Sequence, residues 1–360
     1  MIDAIKNTLA AYPIPFIGLS LAQAKAIKQL DLVGDRLQLT LHIDMPCHSL
    51  APHMETELQQ LLGQQFPGLE LQLVVQQAIV AHQLQRSSAS LKPHKQVKNI
   101  IAVASGKGGV GKSTTTVNLA LALQAEGARV GILDADIYGP SQGMMLNLTQ
   151  RPETRDGQTM EPLEAFGLKV NTMAVLVDQD QPMIWRGPMV SSALEQLLNE
   201  TQWRELDYLL IDLPPGTGDI QLTMSQKIPI AGAVVVSTPQ DIALLDAKRG
   251  VKMFEEVNVP VLGVVENMST HICSACGHEE HIFGHGGAQS MAEEYGSLLL
   301  GSLPLDINIR QQADSGKPIV ALEPDGEIAH IYRAAALRMC GQLARRPKDF
   351  SASFGSISIQ

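Results

Sequence analysis

The chain has 360 residues, of which 45% are apolar and 18% charged; this length suits two domains, and the composition supports a sizeable core and excludes wholesale disorder. The 27 basic and 37 acidic residues leave a formal net charge of −10, which argues against a surface that binds nucleic acid along its whole length. Four cysteines are too few for a disulfide scaffold of this size. No apolar run reaches the roughly 18 residues of a membrane span, and the first residues lack a signal-peptide layout. We therefore expect a cytoplasmic protein with neither a membrane nor a nucleic acid as partner.

Residues 1–83 predict a small α/β domain. The first residues have helical character up to two nearby prolines, which end the helix. Apolar side chains then alternate with polar ones over 37–43 and again over 71–75, the period of half-buried strands, and a helical pattern lies between them. Residues 84–98 are basic and serine-rich and predict a flexible linker, with contact to nucleic acid as the alternative interpretation.

The pattern changes at residue 99, where short apolar runs begin to alternate with helix-length stretches. The runs are apolar on both faces and rich in valine and isoleucine, as buried parallel strands are. The five runs are IIAVAS, ARVGILDAD, YLLIDLP, AGAVVVST and VLGVVEN. Helices between such strands imply βαβ units. We expect a doubly wound, mostly parallel α/β sheet over 99–346 and a loose tail over 347–360.

A glycine-rich loop follows the first of these runs and precedes a helical stretch. It reads GKGGVGKST and satisfies G-x-x-x-x-G-K-[ST], the phosphate-binding loop of P-loop NTPases. Its glycines let backbone N–H groups approach phosphate oxygens, and the helix that follows directs its positive end at the same anion. Lys112 would reach the β- and γ-phosphates and the Ser113 hydroxyl would bind Mg²⁺. The predicted nucleotide-binding loop consists of Gly106, Lys107, Gly108, Gly109, Val110, Gly111, Lys112, Ser113 and Thr114.

Acidic residues stand where two of the predicted strands end. Asp134 and Asp136 follow one run in ILDADIYGP, and Asp212 ends another in LLIDLPPGTGD. A carboxylate at the C-terminal end of a strand, beside a phosphate loop, can hold Mg²⁺ directly or through water. Taken singly, each aspartate could instead cap a helix N-terminus.

The loop has a lysine in addition to Lys112, directly after its first glycine. This residue, Lys107, makes the sequence resemble the deviant Walker A group. The resemblance implies ATP as the nucleotide and a homodimer in which Lys107 reaches the partner's phosphates; a plain surface lysine is the alternative. It also implies that Asp136 lies in switch I and orients the attacking water, that Asp212 is the Walker B aspartate, and that 216–219 form switch II. Asn267 would bond the adenine, or alternatively be a buried turn asparagine. The predicted catalytic residues are therefore Lys107, Lys112 and Asp136.

Cys273 and Cys276 form a pair in HICSACGHEEH. Two thiolates at this spacing can share a metal ion or a cluster iron, but a tetrahedral site needs four ligands. Two chains could each contribute a pair to one [4Fe–4S] cluster, or the histidines at 271, 278, 281 and 285 could complete a zinc site within one chain. A redox-active dithiol fits less well, because such pairs open a helix after a strand near the start of a domain.

Several further motifs resemble the Mrp/ApbC family of iron–sulfur carriers: ENMS before CxxCG, then IFGHGGA, LGSLPLD and DSGKP, together with DLPPGTGDIQLT and WRGP at Trp185–Pro188. The resemblance covers 99–340. It implies a slow ATPase that carries a [4Fe–4S] cluster on Cys273 and Cys276 across a homodimer, receives it from an assembly scaffold and delivers it to apo-proteins. A partitioning ATPase of the ParA/MinD type and a zinc-stabilised regulatory NTPase are the alternatives.

The other two cysteines carry weaker predictions. Cys340 lies in a helical run and is expected to be buried packing. Cys47 follows a strand and precedes a helix, where a thiol can become reactive. The first domain resembles the small domain of iron–sulfur assembly proteins, which have a cysteine at this place, but YPIPFIG replaces the acidic segment of that family. A transient cluster or partner contact and a purely structural role both remain open for Cys47.

Overall fold

The computed structural model describes residues 1–84, 91–137, 139–173, 187–273 and 275–349. The chain divides into two compact units: Met1–Ala81 together with the chain from Cys340 onward, and His82–Met339. These boundaries differ from the expected domain of 99–346 at both ends. The first strand of the larger sheet already begins at Val97, and the end of the last helix belongs to the first unit.

In its described residues, the first unit contains a three-stranded sheet, two complete helices and the end of the last helix of the chain. Its elements are α1 (Ile2–Ala11), β1 (Ile27–Val33), β2 (Arg36–Ile43), α2 (Leu50–Gln65) and β3 (Glu70–Gln77). The strand order is β1-β2-β3, with β1 antiparallel and β3 parallel to β2. Both helices and the two predicted strands are present, whereas β1 was not predicted.

Alternation of apolar and polar side chains decides how this small sheet packs. In β2, Leu37, Leu39, Leu41 and Ile43 are all buried. The buried residues of α2 recur every four positions and give that helix an apolar stripe, and α2 packs against β3 of the same sheet. The core of the unit is therefore the layer between one face of the sheet and its helices.

The second unit is built on an eight-stranded sheet. Its strands are β4 (Val97–Ser105), β5 (Val130–Asp134), β6 (Leu163–Ala165), β7 (Leu168–Thr172), β8 (Leu206–Asp212), β9 (Ile230–Ser237), β10 (Val261–Glu266) and β13 (Leu299–Ser302). Their order is β13-β10-β9-β4-β8-β5-β7-β6. All neighbours are parallel except β6 and β7. The mostly parallel sheet predicted from the sequence is confirmed, and its five apolar runs are β4, β5, β8, β9 and β10.

Helices connect the strands. They are α3 (Lys112–Ala125), α4 (Gln142–Met145), α5 (Gly187–Glu200), α6 (Asp219–Lys227), α7 (Asp241–Glu256), α8 (Gly287–Glu294), α9 (Ile307–Asp314), α10 (Ile319–Leu322) and α11 (Glu327–Ala344). A two-stranded hairpin, β11 (His271–Ile272) with β12 (Glu279–Glu280), follows β10. No helix in the described ranges combines the length and the apolar character that crossing a membrane requires.

The position of β4 in the sheet locates the site. The chain enters the sheet at β4 and later adds strands on both of its sides, so the loop after β4 opens at a topological switch point, where open α/β sheets bind ligands. Every residue of β8 and β9, the neighbours of β4, is buried. Parts of three predicted segments lie outside the described residues: 85–90 of the linker, Trp185 and Arg186 of the WRGP motif, and 350–360 of the tail.

Candidate functional site

The phosphate-loop sequence forms a tight turn between β4 and α3. Gly109 and Gly111 both have φ of +82°, the left-handed region that glycine tolerates and other residues rarely adopt. There is also no room for a side chain at Gly111, since a Cβ there would lie 2.1 Å from Nδ2 of Asn267. The helix begins directly at Lys112, and the N–H groups of a first helical turn are suited to binding an anion.

Lys112 lies in a buried cluster of charges. Its Nζ is 2.5 Å from Oδ1 of Asp212 and 3.7 Å from Oδ2 of Asp136, and it is 3.1 Å from the hydroxyl of Ser113. The two carboxylates and this hydroxyl are oxygen donors of the kind that Mg²⁺ prefers. The side chains predicted for phosphate and metal binding thus meet at one point, and their chemistry fits a magnesium nucleotide.

Asp212 also accepts a hydrogen bond from a glutamine that the sequence did not suggest. The side chain of Gln142 is fully buried. Its Nε2 donates to Oδ2 of Asp212 at 2.9 Å and to the carbonyl of Ser113 at 3.0 Å. Gln142 therefore links the carboxylate of Asp212 to the start of α3. A glutamine in a four-residue helix has no sequence signature, so only the fold could reveal it.

The segment after β5 is organised by Asp134. Its carboxylate accepts hydrogen bonds from the backbone N–H groups of Asp136, Ser141 and Gln142 at 3.0–3.1 Å. Burial, followed by the nearby charge of Asp212, raises the pKa of Asp134 above its ordinary value, although these hydrogen bonds oppose the shift. Asp134 thus shapes the segment after β5, while Asp136 forms an ion pair with Lys112.

The segment predicted as switch II, residues 216–219, contacts the end of β4, directly before the phosphate loop. The N–H of Gly216 donates to the carbonyl of Ser105 at the end of β4 at 2.9 Å, and Nε2 of Gln221 donates to the carbonyl of Pro215 at 2.7 Å. Asp219 is exposed as the first residue of α6. The backbone hydrogen bond of Gly216 therefore joins the predicted switch II segment to the strand that precedes the phosphate loop.

A cavity of about 470 Å³ opens above the loop. Its loop side is formed by Gly108, Gly109, Gly111, Lys112, Ser113 and Thr114. Asn267, Met268 and residues 304–306 also line it. Nδ2 of Asn267 donates to the carbonyl of Val110 at 2.9 Å, so this side chain also supports the loop. Lys107 is half-buried and does not belong to the lining.

The cysteine pair sits at the end of the β11–β12 hairpin. The N–H of Cys273 donates to the carbonyl of His278 at 2.9 Å, and the N–H of Gly277 donates to the carbonyl of Cys273 at 2.8 Å. Cys273 is half-buried and Cys276 is exposed. Backbone N–H groups of Ala275 and Cys276, together with the Cys276 thiol, lower the pKa of the Cys273 thiol by hydrogen bonding to its sulfur. These contacts favour the thiolate, which is the form that binds metal.

The histidines around the pair do not complete a metal site in the described part of the chain, where no group of three or more His, Cys, Asp or Glu side chains could hold a metal ion. Nδ1 of His271 is 3.1 Å from the carbonyl of Leu305, and Nδ1 of His281 is 2.9 Å from the carbonyl of Ser269. The described residues of one chain thus bring two soft ligands together at this hairpin.

The remaining cysteines are buried in the first unit. Cys340 is packed near the end of α11, and Cys47 lies between β2 and α2. The carbonyl of Cys47 accepts from the N–H groups of Leu50 and Ala51 at 3.1 and 3.0 Å, so its backbone starts the first turn of α2. Both positions agree with the placement expected from the sequence.

A family model described as the ParA group "NUBPL iron-transfer P-loop NTPase" matches residues 96–340. The chain belongs to this family of iron-transfer P-loop NTPases. The iron-sulfur cluster carrier protein of Escherichia coli K12 is 50% identical over 346 residues, which cover 94% of this chain and 91% of the relative. The mouse iron-sulfur cluster transfer protein NUBPL is 48% identical over 289 residues, or 80% of this chain and 89% of the relative.

Among solved structures, a nucleotide-binding protein of Archaeoglobus fulgidus in complex with ADP is similar to this chain. It is 36% identical with a TM-score of 0.57, and the match covers 64% of this chain and 90% of that one. The phosphate loop, Asp136, Asp212 and the CxxC hairpin of this member of the iron-transfer NTPase family all fall within the matched residues 96–340.

Proposed function

We propose that the protein is an ATP-binding and slowly ATP-hydrolysing iron–sulfur cluster carrier. Two copies would each present Cys273 and Cys276, and the four thiolates would hold one [4Fe–4S] cluster as cargo for transfer to apo-proteins, with an assembly scaffold as donor. The observation that carries the proposal is the pair of thiols displayed on a hairpin whose base adjoins the nucleotide cavity, with hydrogen bonds that favour the thiolate of Cys273. The names of the relatives support the cargo.

Two ligands per chain explain why a dimer is required. A cluster of this type takes four thiolates, and a symmetric pair of chains supplies four from one two-thiol surface on each. The exposure of Cys276 is compatible with such sharing, and also with release of the cargo to another protein.

The loop residues have distinct tasks in ATP hydrolysis. The backbone N–H groups of 106–114 and the ammonium of Lys112 bind the phosphates, and Asp136 orients the attacking water. Mg²⁺, held by Ser113, Asp136 and Asp212, would neutralise charge that develops on the phosphate oxygens. Lys107 would act on the nucleotide of the partner chain, and Asn267 would contact the adenine.

Substitution of the hairpin cysteines tests this assignment. We expect Cys273→Ala and Cys276→Ala to bind ADP with the affinity of the wild type but to lose the visible absorbance of the cluster after anaerobic reconstitution. Cys340→Ala is the matched control, because this thiol is buried in the other unit and its loss should leave the cluster in place. Unchanged cluster absorbance in Cys273→Ala would refute the ligand assignment.

A further inference from the structure

The chain that leads from β10 into the cysteine hairpin is hydrogen-bonded to a second segment, residues 303–305. The contacts continue the parallel pairing of β10 with β13 beyond the ends of both strands. The three backbone hydrogen bonds run from Leu303 N–H to Glu266 O at 2.7 Å, from Ser269 N–H to Leu303 O at 2.9 Å and from Leu305 N–H to Thr270 O at 2.7 Å. The two segments therefore form one connected piece of structure.

This piece of structure is also a wall of the nucleotide cavity. Asn267 and Met268 line the cavity from the first segment, and Pro304 and Leu305 line it from the second. Met268 has φ of +58°, a conformation that a methionine adopts only where its surroundings impose it. A ligand in the cavity would pack against both segments at once.

The same two segments hold the cysteine hairpin through histidine rings. On one side of the thiol pair, Nδ1 of His271 lies 3.1 Å from the carbonyl of Leu305; on the other, Nδ1 of His281 lies 2.9 Å from the carbonyl of Ser269. A carbonyl oxygen can only accept, so each Nδ1 carries the proton and donates. One arm of the hairpin is thus hydrogen-bonded to Leu305 in the cavity wall, and the other arm to Ser269, the residue that follows Met268 of the wall.

We propose that His271 and His281 are positioning residues that fasten the Cys273–Cys276 hairpin to the wall of the nucleotide cavity, so that a nucleotide in the cavity alters the reactivity and metal affinity of the two thiols. The inference rests on the proposed function, because it takes a nucleotide as the occupant of the cavity. Filling the cavity restricts the motion of its wall, and the ring hydrogen bonds pass that restriction to the hairpin.

The experiment compares thiol reactivity with and without saturating ADP and Mg²⁺. The rate of reaction of the two hairpin thiols with Ellman's reagent is followed in the full chain, where Cys47 and Cys340 are buried. We expect ADP to change this rate by about fivefold or more in the wild type, the lower end of typical coupling between sites. His271→Phe and His281→Phe keep a ring but remove the N–H donor. In these variants the rates with and without ADP should differ by less than about twofold.

A conservative variant and a control accompany these substitutions. His271→Gln keeps an N–H donor and should keep most of the effect. His330→Phe removes the same kind of contact, since Nδ1 of His330 lies 2.8 Å from the carbonyl of Gly326, but this pair is remote from the hairpin in sequence and does not line the cavity. It should behave as the wild type.

A reciprocal measurement on the wild type needs no substitution. Linkage requires that ADP change the affinity of the thiol pair for Cd²⁺ by the same factor as Cd²⁺ changes the affinity for ADP. Calorimetry supplies both constants. If ADP binds but leaves thiol reactivity and Cd²⁺ affinity unchanged, the coupling is refuted while the proposed function stands. If the effect of ADP persists in both phenylalanine variants, the histidines do not carry it. If ADP does not bind, the nucleotide assignment itself fails, and the coupling with it.

Discussion

Two alanine substitutions in the phosphate loop separate backbone strain from steric conflict. Gly109 and Gly111 share the same φ of +82°, but the space around them differs. No atom lies within 4 Å of a Cβ built on Gly109, whereas a Cβ on Gly111 would lie 2.1 Å from Nδ2 of Asn267. Both substitutions incur the left-handed strain of about 1–2 kcal/mol, so any difference between them reports the contact with Asn267.

The structure gives the size of that difference. Gly111→Ala must displace the amide of Asn267 and break its hydrogen bond to the carbonyl of Val110, at a cost of about 1 kcal/mol. Forcing a methyl group into occupied space adds about 1–3 kcal/mol. The unit that contains the loop should therefore be about 2–4 kcal/mol less stable in Gly111→Ala than in Gly109→Ala. For a unit of this size about 2 °C corresponds to 1 kcal/mol, which gives a midpoint about 4–8 °C lower.

Thermal unfolding of the nucleotide-free variants, followed by circular dichroism, measures this difference. Gly109→Ala serves as the matched control for strain. Asn267→Ala together with Gly111→Ala should recover part of the loss, because the amide that blocks the methyl group is then gone. Equal midpoints for the two glycine variants would show that Asn267 does not lie against the loop as the structure has it.

Three further predictions address charge and protonation. Lys112→Ala should lower ATP hydrolysis at least about a hundredfold, the usual loss when a charge-stabilising donor is removed, and near-normal turnover would contradict its role. In Cys276→Ser, which keeps a hydroxyl donor, the rate of alkylation of Cys273 by iodoacetamide is measured against pH. The midpoint of this profile should lie below the ordinary thiol pKa, because backbone N–H groups still lower the pKa of Cys273. A midpoint at or above the ordinary value would contradict these hydrogen bonds. Burial alone would raise the pKa of Asp207, but hydrogen bonds, chiefly from Arg129, lower it overall. The charged Asp207 therefore stabilises the fold above its unfolded-state pKa, and this stabilisation is lost as the pH falls through its folded-state pKa. Asp207→Asn should lower the free energy of unfolding by about 1–3 kcal/mol at pH 7 and by much less in strong acid. A loss of stability that does not depend on pH would argue against the charged pair.

The central strands of the second unit were predictable because each is apolar on both faces. The runs that form β4, β8 and β9 have no polar side to suggest another structure, and burial in the middle of the sheet confirms them. β1 was not predicted, since its residues IKQLDLV lie at an edge of the small sheet and bury no continuous face. β13 has only four residues, too few for a periodic pattern.

The site was predictable where a motif fixes the backbone, and less so where side chains meet through the fold. The glycines and Lys112 follow from the loop motif, and Asp212 from its place at the end of a strand. Gln142 was missed because its hydrogen bond to Asp212 joins residues 70 positions apart. The histidines beside the cysteine pair suggested zinc ligands, but sequence alone could not show that the rings of His271 and His281 face backbone carbonyls.

The most direct test of the proposed carrier is the iron, acid-labile sulfide and zinc content of the anaerobically reconstituted protein, measured together with its mass in solution. A bridging cluster predicts about four iron and four sulfide per dimer, and neither in Cys273→Ala. One zinc per monomer with no sulfide would contradict the carrier function and make the cysteine pair a structural site.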